Sequence, residues 1–173
     1  MTVTERARRL RIMIFDVDGV MTDGTLFYAD SGEEMKAFNA HDGQGIRLLQ
    51  SSGVVSAIIT SRRSRLVELR AQNLGIAHLV QGADDKLAAF NTLLASCKLG
   101  AEQAGFLGDD VADLPILTRC GLAMAVPDAP EVLKQNVHYV TRARGGHGAV
   151  REACELILRA QGTLERVLEP YLR

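Results

Sequence analysis

Short apolar runs alternate with amphipathic stretches along almost the whole chain, and this alternation restricts the fold more than any other feature. Six runs have the length and aliphatic content of buried strands: Arg11–Phe15, Val54–Thr60, His78–Gln81, Ala104–Leu107, Leu122–Ala125 and His138–Val140. The stretches between and after them have helical periodicity: Gly45–Ser52, Arg62–Leu74, Asp85–Lys98, Ala112–Arg119, Glu131–Gln135 and Ala149–Arg159. Strands that alternate with helices in this way predict βαβ units, and therefore a doubly wound, mostly parallel α/β sheet.

One segment, Thr25–Ala40, departs from the alternation. It contains two short strand-like runs, Leu26–Tyr28 and Met35–Phe38, separated by the turn sequence Asp30–Gly32. This order predicts a β-hairpin inserted directly after the first strand. No linker rich in Pro, Gly or Ser divides the 173 residues, so we predict a single domain over residues 1–173.

Composition excludes several classes of protein. The net charge of −1 gives no basic footprint for nucleic acid, and no apolar stretch is long enough to span a membrane. The apolar run that ends at Asp16 is too short for the core of a signal peptide. Cys97, Cys120 and Cys154 are far apart, odd in number and lack metal-ligand spacing. We therefore expect a cytoplasmic protein with reduced thiols and with neither nucleic-acid nor membrane partners.

Two aspartates at the end of the first strand indicate a functional site. Asp16 and Asp18 are two residues apart, and successive side chains of a strand point to opposite faces, so these two point to the same face. Gly19 allows a ligand to approach the backbone. Two carboxylates this close repel each other unless a cation lies between them. A lone Asp-x-Asp is equally consistent with a solvated acidic turn. The longer run that ends in Thr22–Gly24 is more specific than the pair alone.

Further polar residues follow the other strands, at the edge of the sheet where ligands bind in open α/β folds. Thr60 and Ser61 end the second strand, and Lys86 opens the helix after the third. The acidic residues Asp109, Asp110 and Asp113 follow the fourth strand. Each of these residues alone has an ordinary structural explanation. Thr60 could simply end a strand, Lys86 could be a solvated charge on a helix, and the aspartates could be helix caps or dipole partners. It is much less expected by chance that all four groups of residues occupy these positions in one chain.

These residue types together suit phosphoryl transfer. Carboxylates from two strands are typical Mg²⁺ ligands, and a hydroxyl and a lysine can neutralise the oxygens of a phosphoryl group. One aspartate can attack phosphorus, and a second can protonate the leaving alcohol and then deprotonate water.

The ordered set resembles the haloacid-dehalogenase superfamily of phosphotransferases, which implies a Rossmann-like fold. Its Asp-x-Asp-Gly motif matches Asp16–Gly19, and its hydrophobic strand ending in Thr or Ser matches Val55–Thr60. Its lysine matches Lys86, and its late acidic motif matches Gly108–Asp113.

A narrower resemblance, to the 3-deoxy-D-manno-octulosonate 8-phosphate phosphatases, rests on longer matches: Asp16–Gly24, Asp42–Ile46, Ile58–Arg62 and Gly145–Glu152. This family implies a homotetramer without a cap domain, whose hairpins form an inner barrel and in which a neighbouring subunit helps to close each site. No stretch of this chain is long enough to form a separate cap.

The resemblance implies a role for each matching position. Asp16 would be the nucleophile and a metal ligand, Asp18 the general acid and base with its main-chain carbonyl on the metal, and Asp109 a further Mg²⁺ ligand. Asp110 and Asp113 would support the metal ligands and the lysine.

The phosphoryl group and the rest of the substrate would be bound by other residues. Thr60 and Lys86 would bind the phosphoryl group, and Arg62 the anionic part of a sugar acid. Three positions depart from the family pattern: His41 and His147 replace arginines, and Ser61 replaces a glycine. Arginine binds carboxylates bidentately and histidine does not, so these changes bear on the substrate.

We therefore predict a Mg²⁺-dependent phosphatase for 3-deoxy-D-manno-octulosonate 8-phosphate, an intermediate of lipopolysaccharide sugar biosynthesis, acting through an aspartyl-phosphate. A nine-carbon keto-sugar acid 9-phosphate remains an alternative substrate. A receiver-like phosphoacceptor signalling domain is an alternative of another class, although receivers place the acidic pair first and the phosphorylated Asp later. A catalytically inert subunit is a further alternative.

Overall fold

The computed structural model describes all residues, Met1–Arg173, and its centre is a six-stranded sheet. The strands are β1 (Ile12–Phe15), β4 (Val55–Thr60), β5 (His78–Gln81), β6 (Ala104–Gly108), β7 (Leu122–Ala125) and β8 (Tyr139–Val140). Their order is β5-β4-β1-β6-β7-β8, and every pairing is parallel. The predicted doubly wound α/β fold is confirmed, with all six strands parallel.

The register of the central strands sets the position of the site. Ile12 lies opposite Val55 on one side and Ala104 on the other, and all four β1 residues are fully buried. Such continuous burial is typical of a parallel strand covered on both faces. Because β1, β4 and β6 run in register, the residues that follow them leave the sheet at the same edge.

Eight helices cover the sheet. They are α1 (Val3–Arg8), α2 (Ala40–Ser51), α3 (Arg65–Leu74), α4 (Lys86–Cys97), α5 (Leu114–Leu117), α6 (Glu131–Lys134), α7 (Ala149–Ala160) and α8 (Leu164–Leu168). Right-handed crossovers place α2 and α3 on one face and α4 to α6 on the other. Helix α7 packs along α2 and α1, so it joins the first layer. None of these helices combines the length and apolarity that a membrane crossing requires.

Three helices differ from the prediction by more than one residue at an end. Helix α2 begins at Ala40 rather than Gly45, because the Asn39 side chain accepts hydrogen bonds from the His41 and Asp42 amides and caps the first turn. Helix α3 begins at Arg65 rather than Arg62. The predicted helix Ala112–Arg119 is instead a 3₁₀ turn, Val111–Asp113, followed by the single helical turn α5.

Two short helices near the termini were not predicted. Helix α1 has a complete capping box between Thr2 and Glu5, which supplies the first-turn amides with acceptors despite the helix's brevity. Helix α8 is five residues long and buries Leu164 and Val167. Neither helix reaches the edge of the sheet where the acidic motifs lie.

The predicted hairpin is confirmed, with shorter strands than expected. Strands β2 (Phe27–Tyr28) and β3 (Glu34–Met35) form their own antiparallel two-stranded sheet. Strand β3 ends at Met35 and does not continue to Phe38. Apolar side chains on this hairpin remain largely exposed: Leu26, Phe27, Tyr28 and Met35.

Candidate active site

The carboxyl ends of β1, β4 and β6 surround a cavity of about 240 Å³. Its lining contains almost every predicted site residue: Asp16, Asp18, Thr60, Ser61, Arg62, Lys86, Asp109 and Asp110. The strand order runs from β1 through β4 to β5 on one side, and the chain then crosses back to β6 on the other side of β1. The cavity lies beside this reversal of strand order, which is where open α/β sheets bind ligands. A larger groove of about 650 Å³ beside β8 contains none of these residues.

A buried lysine connects two of the acidic motifs. Lys86 begins helix α4, where the Asp85 side chain caps the first turn, and it is only 5% exposed. Its Nζ lies 2.8 Å from Asp16 Oδ2 and 2.6 Å from Asp113 Oδ1. Burial opposes the charged ammonium, but the carboxylates of Asp16 and Asp113 outweigh it and raise the pKa of Lys86 above its ordinary value. Lys86 therefore stays protonated at the floor of the cavity, between the two carboxylates that hold it.

Asp113 organises the loop after β6. Its Oδ2 accepts hydrogen bonds from the amides of Asp109 at 3.0 Å and Asp110 at 3.4 Å, while its Oδ1 binds Lys86. The exposed Asp110 instead accepts a hydrogen bond from the Val111 amide at 2.7 Å, and it forms no ion pair with Lys86. Of the two residues expected to support the site, Asp113 reaches the lysine and Asp110 caps the turn.

The carboxylates of Asp16, Asp109 and Asp113 form a cluster suited to a divalent cation, with one oxygen from each lying within 4.8 Å of the others. Both oxygens of Asp113 are engaged, whereas the half-buried carboxylate of Asp109 accepts no hydrogen bond from the protein. Burial, followed by the charges of Asp16 and Asp113, raises the pKa of Asp109 to about 8. Burial and Asp113 raise that of Asp16 to about 6. A hard cation with oxygen ligands would relieve this repulsion.

Gly19 allows the first acidic loop to approach the second. It has a φ of +87°, and a Cβ at this position would lie 2.1 Å from Asp109 Oδ2. Gly145 in the late loop is equally close, because its Cβ would lie 1.8 Å from the Gly19 carbonyl oxygen. A side chain at either position would separate the segments that form the cavity.

Thr60, at the end of β4, lines the same cavity and is 3% exposed. Its hydroxyl has no hydrogen-bond partner within the protein, so it is free for a ligand. With the Lys86 ammonium nearby, it forms the kind of donor set that binds a phosphoryl group.

The hairpin contributes residues that the sequence analysis missed. Lys36 Nζ lies 2.5 Å from Asp18 Oδ1 and 3.1 Å from Glu34 Oε1. The Arg62 guanidinium donates hydrogen bonds to the Tyr28 hydroxyl at 2.5 Å and to Glu34 Oε1 at 3.3 Å. The one available signal was the spacing of Glu34 and Lys36, which places two charged side chains on one face of a strand next to the acidic motif.

Comparison with known proteins identifies the family. A haloacid dehalogenase-like hydrolase family model matches residues 68–152. The 3-deoxy-D-manno-octulosonate 8-phosphate phosphatase of Yersinia pestis is 52% identical over 163 residues, 94% of this chain and 87% of that protein. The enzyme of the same name from Escherichia coli K12 is 47% identical over the same shares. The chain belongs to this phosphatase family.

Solved structures agree with this assignment. A probable phosphatase from Pseudomonas syringae pv. phaseolica, 50% identical, superposes with a TM-score of 0.97 over 99% of this chain and 97% of that one. The 3-deoxy-D-manno-octulosonate 8-phosphate phosphatase of Moraxella catarrhalis was solved with magnesium, phosphate and 3-deoxy-D-manno-octulosonate. It is 38% identical, with a TM-score of 0.96 over 98% of this chain and 97% of that one.

Membership of the family makes the chain a phosphoric monoester hydrolase, so the predicted resemblance and enzyme class are confirmed and the receiver-like alternative is wrong. Two of the three departures from the family pattern, Ser61 and His147, line cavities at the site. Ser61 lines the cavity with the aspartates. His147 is exposed and lines a neighbouring cavity of about 270 Å³, which shares Asp109 with the first. His41 lies exposed in the first turn of α2.

Proposed function

We propose that this phosphatase hydrolyses 3-deoxy-D-manno-octulosonate 8-phosphate, in lipopolysaccharide sugar biosynthesis, with Mg²⁺ and an aspartyl-phosphate intermediate. The observation that carries the proposal is the buried Lys86 between Asp16 and Asp113, beside the unpartnered carboxylate of Asp109. The 52% identity to the Yersinia pestis enzyme of that name supports the substrate.

The chain's own residues account for both chemical steps. Thr60 and Lys86 hold the phosphoryl oxygens, and an Asp16 oxygen attacks phosphorus as the bond to the sugar oxygen breaks. Asp18 gives its proton to that oxygen and then takes one from the water that hydrolyses the aspartyl-phosphate, which restores both carboxyl groups. Mg²⁺, held by the carboxylates of Asp16 and Asp109 and the Asp18 carbonyl, would neutralise phosphoryl charge.

The direct test is a phosphate-release screen over sugar-acid phosphates, with and without a chelator. We expect the eight-carbon 8-phosphate to give the highest kcat/KM and chelation to abolish turnover. Preference for a nine-carbon 9-phosphate would support the alternative substrate, and preference for neutral sugar phosphates would reject both. No turnover of any ester, with Mg²⁺ present, would identify an inert subunit.

Arg62 is the proposed contact for the sugar-acid carboxylate, since the phosphoryl group already has Thr60 and Lys86. Losing a charge-assisted contact costs roughly 1.5–3 kcal/mol, so Arg62→Ala should lower kcat/KM for the sugar-acid phosphate about 10–150-fold and spare an aryl phosphate. The neighbouring exposed Arg63→Ala is the matched control. Equal losses of kcat/KM on both substrates would indicate that Arg62 binds the phosphate or stabilises the fold instead.

We also propose that the chain forms a homotetramer in the cytoplasm through residues 25–40. An isolated two-stranded hairpin is marginally stable, and Phe27 and Met35 are 48% and 66% exposed on this one. Cys97, Cys120 and Cys154 are unpaired, as expected for a reducing compartment.

Substitution on the outer face of the hairpin tests the tetramer. Light scattering at micromolar concentration should give four times the 18.8 kDa chain mass, and Met35→Asp should reduce it. Val132→Asp, at an exposed position of α6, is the control and should leave the mass unchanged. A fully active wild-type monomer would contradict the proposal.

A further inference from the structure

The side chain of Lys36 is buried although the residue follows a largely exposed strand. Its side chain is only 1% exposed, while the preceding Met35 is 66% exposed. Burying an ammonium is unfavourable unless it is paired, and Lys36 Nζ has two carboxylate partners, Asp18 and Glu34. The hairpin therefore directs one specific charge into the active site.

Lys36 is also the only group in the chain that holds the Asp18 carboxylate by a hydrogen bond. It binds Oδ1. The Arg62 Nε lies 3.6 Å from Oδ2, which is too long for a hydrogen bond, and this Nε has no partner elsewhere. Asp16, by contrast, is fixed on both oxygens, by the Val17 amide and by Lys86.

We infer that Lys36 is a positioning residue for Asp18. By fixing Oδ1, it orients the carboxyl group so that Oδ2 remains available for proton transfer to the leaving oxygen, and Glu34 keeps the lysine in place. The inference rests on the proposed function, in which Asp18 is the general acid and base. A group held in the reactive geometry transfers its proton far more effectively than one free to rotate.

A series of aryl phosphates of similar shape separates this role from substrate binding. The first chemical step sets kcat/KM, and it needs a general acid for phenyl phosphate but hardly for p-nitrophenyl phosphate, whose leaving group is a weak base. Lys36→Met keeps the aliphatic stem of the side chain. It should lower kcat/KM about 10–100-fold for phenyl phosphate and less than about threefold for p-nitrophenyl phosphate. The loss for phenyl phosphate would be part of the roughly 10²–10⁴-fold that a general acid typically contributes. Lys134→Met removes a lysine that forms a partly exposed ion pair with Glu131 on α6. It is the matched control and should change neither value.

A double-mutant cycle completes the test. In the Asp18→Asn background, Lys36→Met should cause no further loss with phenyl phosphate, because the group it positions no longer transfers a proton. Equal losses on both esters, or a full additional loss in the Asp18→Asn background, would overturn the inference and leave the phosphatase assignment intact. A wild-type protein that hydrolyses neither ester would overturn both.

Two further measurements guard against a folding defect. Light scattering and thermal unfolding report whether Lys36→Met retains its assembly. Should that variant not fold, Lys36→Arg restores a charged donor and Lys36→Gln an uncharged one. The inference expects Lys36→Arg to keep the wild-type ratio between the two esters more closely than Lys36→Gln, and the reverse order would overturn it.

Discussion

Asp16→Asn should abolish phosphate release from every ester. Asparagine keeps the shape of the side chain but has no anionic oxygen to attack phosphorus, and loss of a nucleophile typically costs on the order of 10⁴-fold or more. Release of inorganic phosphate and transfer of labelled phosphate to the protein during rapid quench both measure the effect. We expect neither signal from the variant.

Folding should survive this change. Asp16 is buried, and its negative charge is repelled by that of Asp113. Asp16→Asn loses the ion pair with Lys86, but it also relieves this repulsion, and the two effects oppose each other. Thermal unfolding in a chelator should give a melting temperature near that of wild type. Asp84→Asn, an exposed aspartate outside the cavity, provides the control. A folded Asp16→Asn variant with turnover comparable to that of wild type would show that Asp16 is not the nucleophile.

Lys86→Met should have the largest effect on stability and a severe effect on activity. The substitution leaves the carboxylates of Asp16 and Asp113 buried without their cation, and breaking a buried ion pair by removing one partner costs about 3–5 kcal/mol. Loss of the charged group proposed to stabilise the transferring phosphoryl oxygens should lower kcat by about 10²–10³-fold. Urea unfolding and phosphate release measure the two effects.

The stability loss of Lys86→Met should depend on pH. Burial and Asp113 raise the pKa of Asp16 from 3.8 to about 6 even with the lysine in place, so the folded state binds this proton more tightly than the unfolded state does. Removing Lys86 raises that pKa further, and stability then falls as pH rises from about 4 through 6 and beyond. The deficit relative to wild type, measured in a chelator, should be larger at pH 8 than at pH 5. Lys134→Met should show no such dependence.

The strands and the convergence of the acidic motifs were predictable because they depend on local pattern. A continuously apolar run such as Ile12–Phe15 has few other uses than a buried strand, and parallel topology then fixes where Asp16 and Asp109 emerge. The segment after β6 was mispredicted as one helix because Asp113 looks like an ordinary first-turn acid. Its carboxylate instead turns inward to the loop amides and Lys86 and shortens the helix.

The hairpin contacts were not predictable because they depend on how a short segment folds back over the site. The sequence analysis placed Lys36 within a predicted strand, Met35–Phe38. The spacing of Glu34 and Lys36 put both charges on one face but did not identify Asp18, eighteen residues earlier, as the partner. Similarly, the early start of α2 follows from Asn39, whose capping oxygen lies outside the apolar pattern that was used to find the helix.

The hairpin presents apolar side chains outward and a charged pair inward within the same few residues. Phe27 and Met35 lie on the surface, while Glu34 and Lys36, either side of Met35, reach Arg62 and Asp18. An engineer who shortens this segment to obtain a small monomeric phosphatase would also remove the lysine that pairs with Asp18. Monomeric variants are therefore better made by recharging the outer face, with residues 34 and 36 left unchanged.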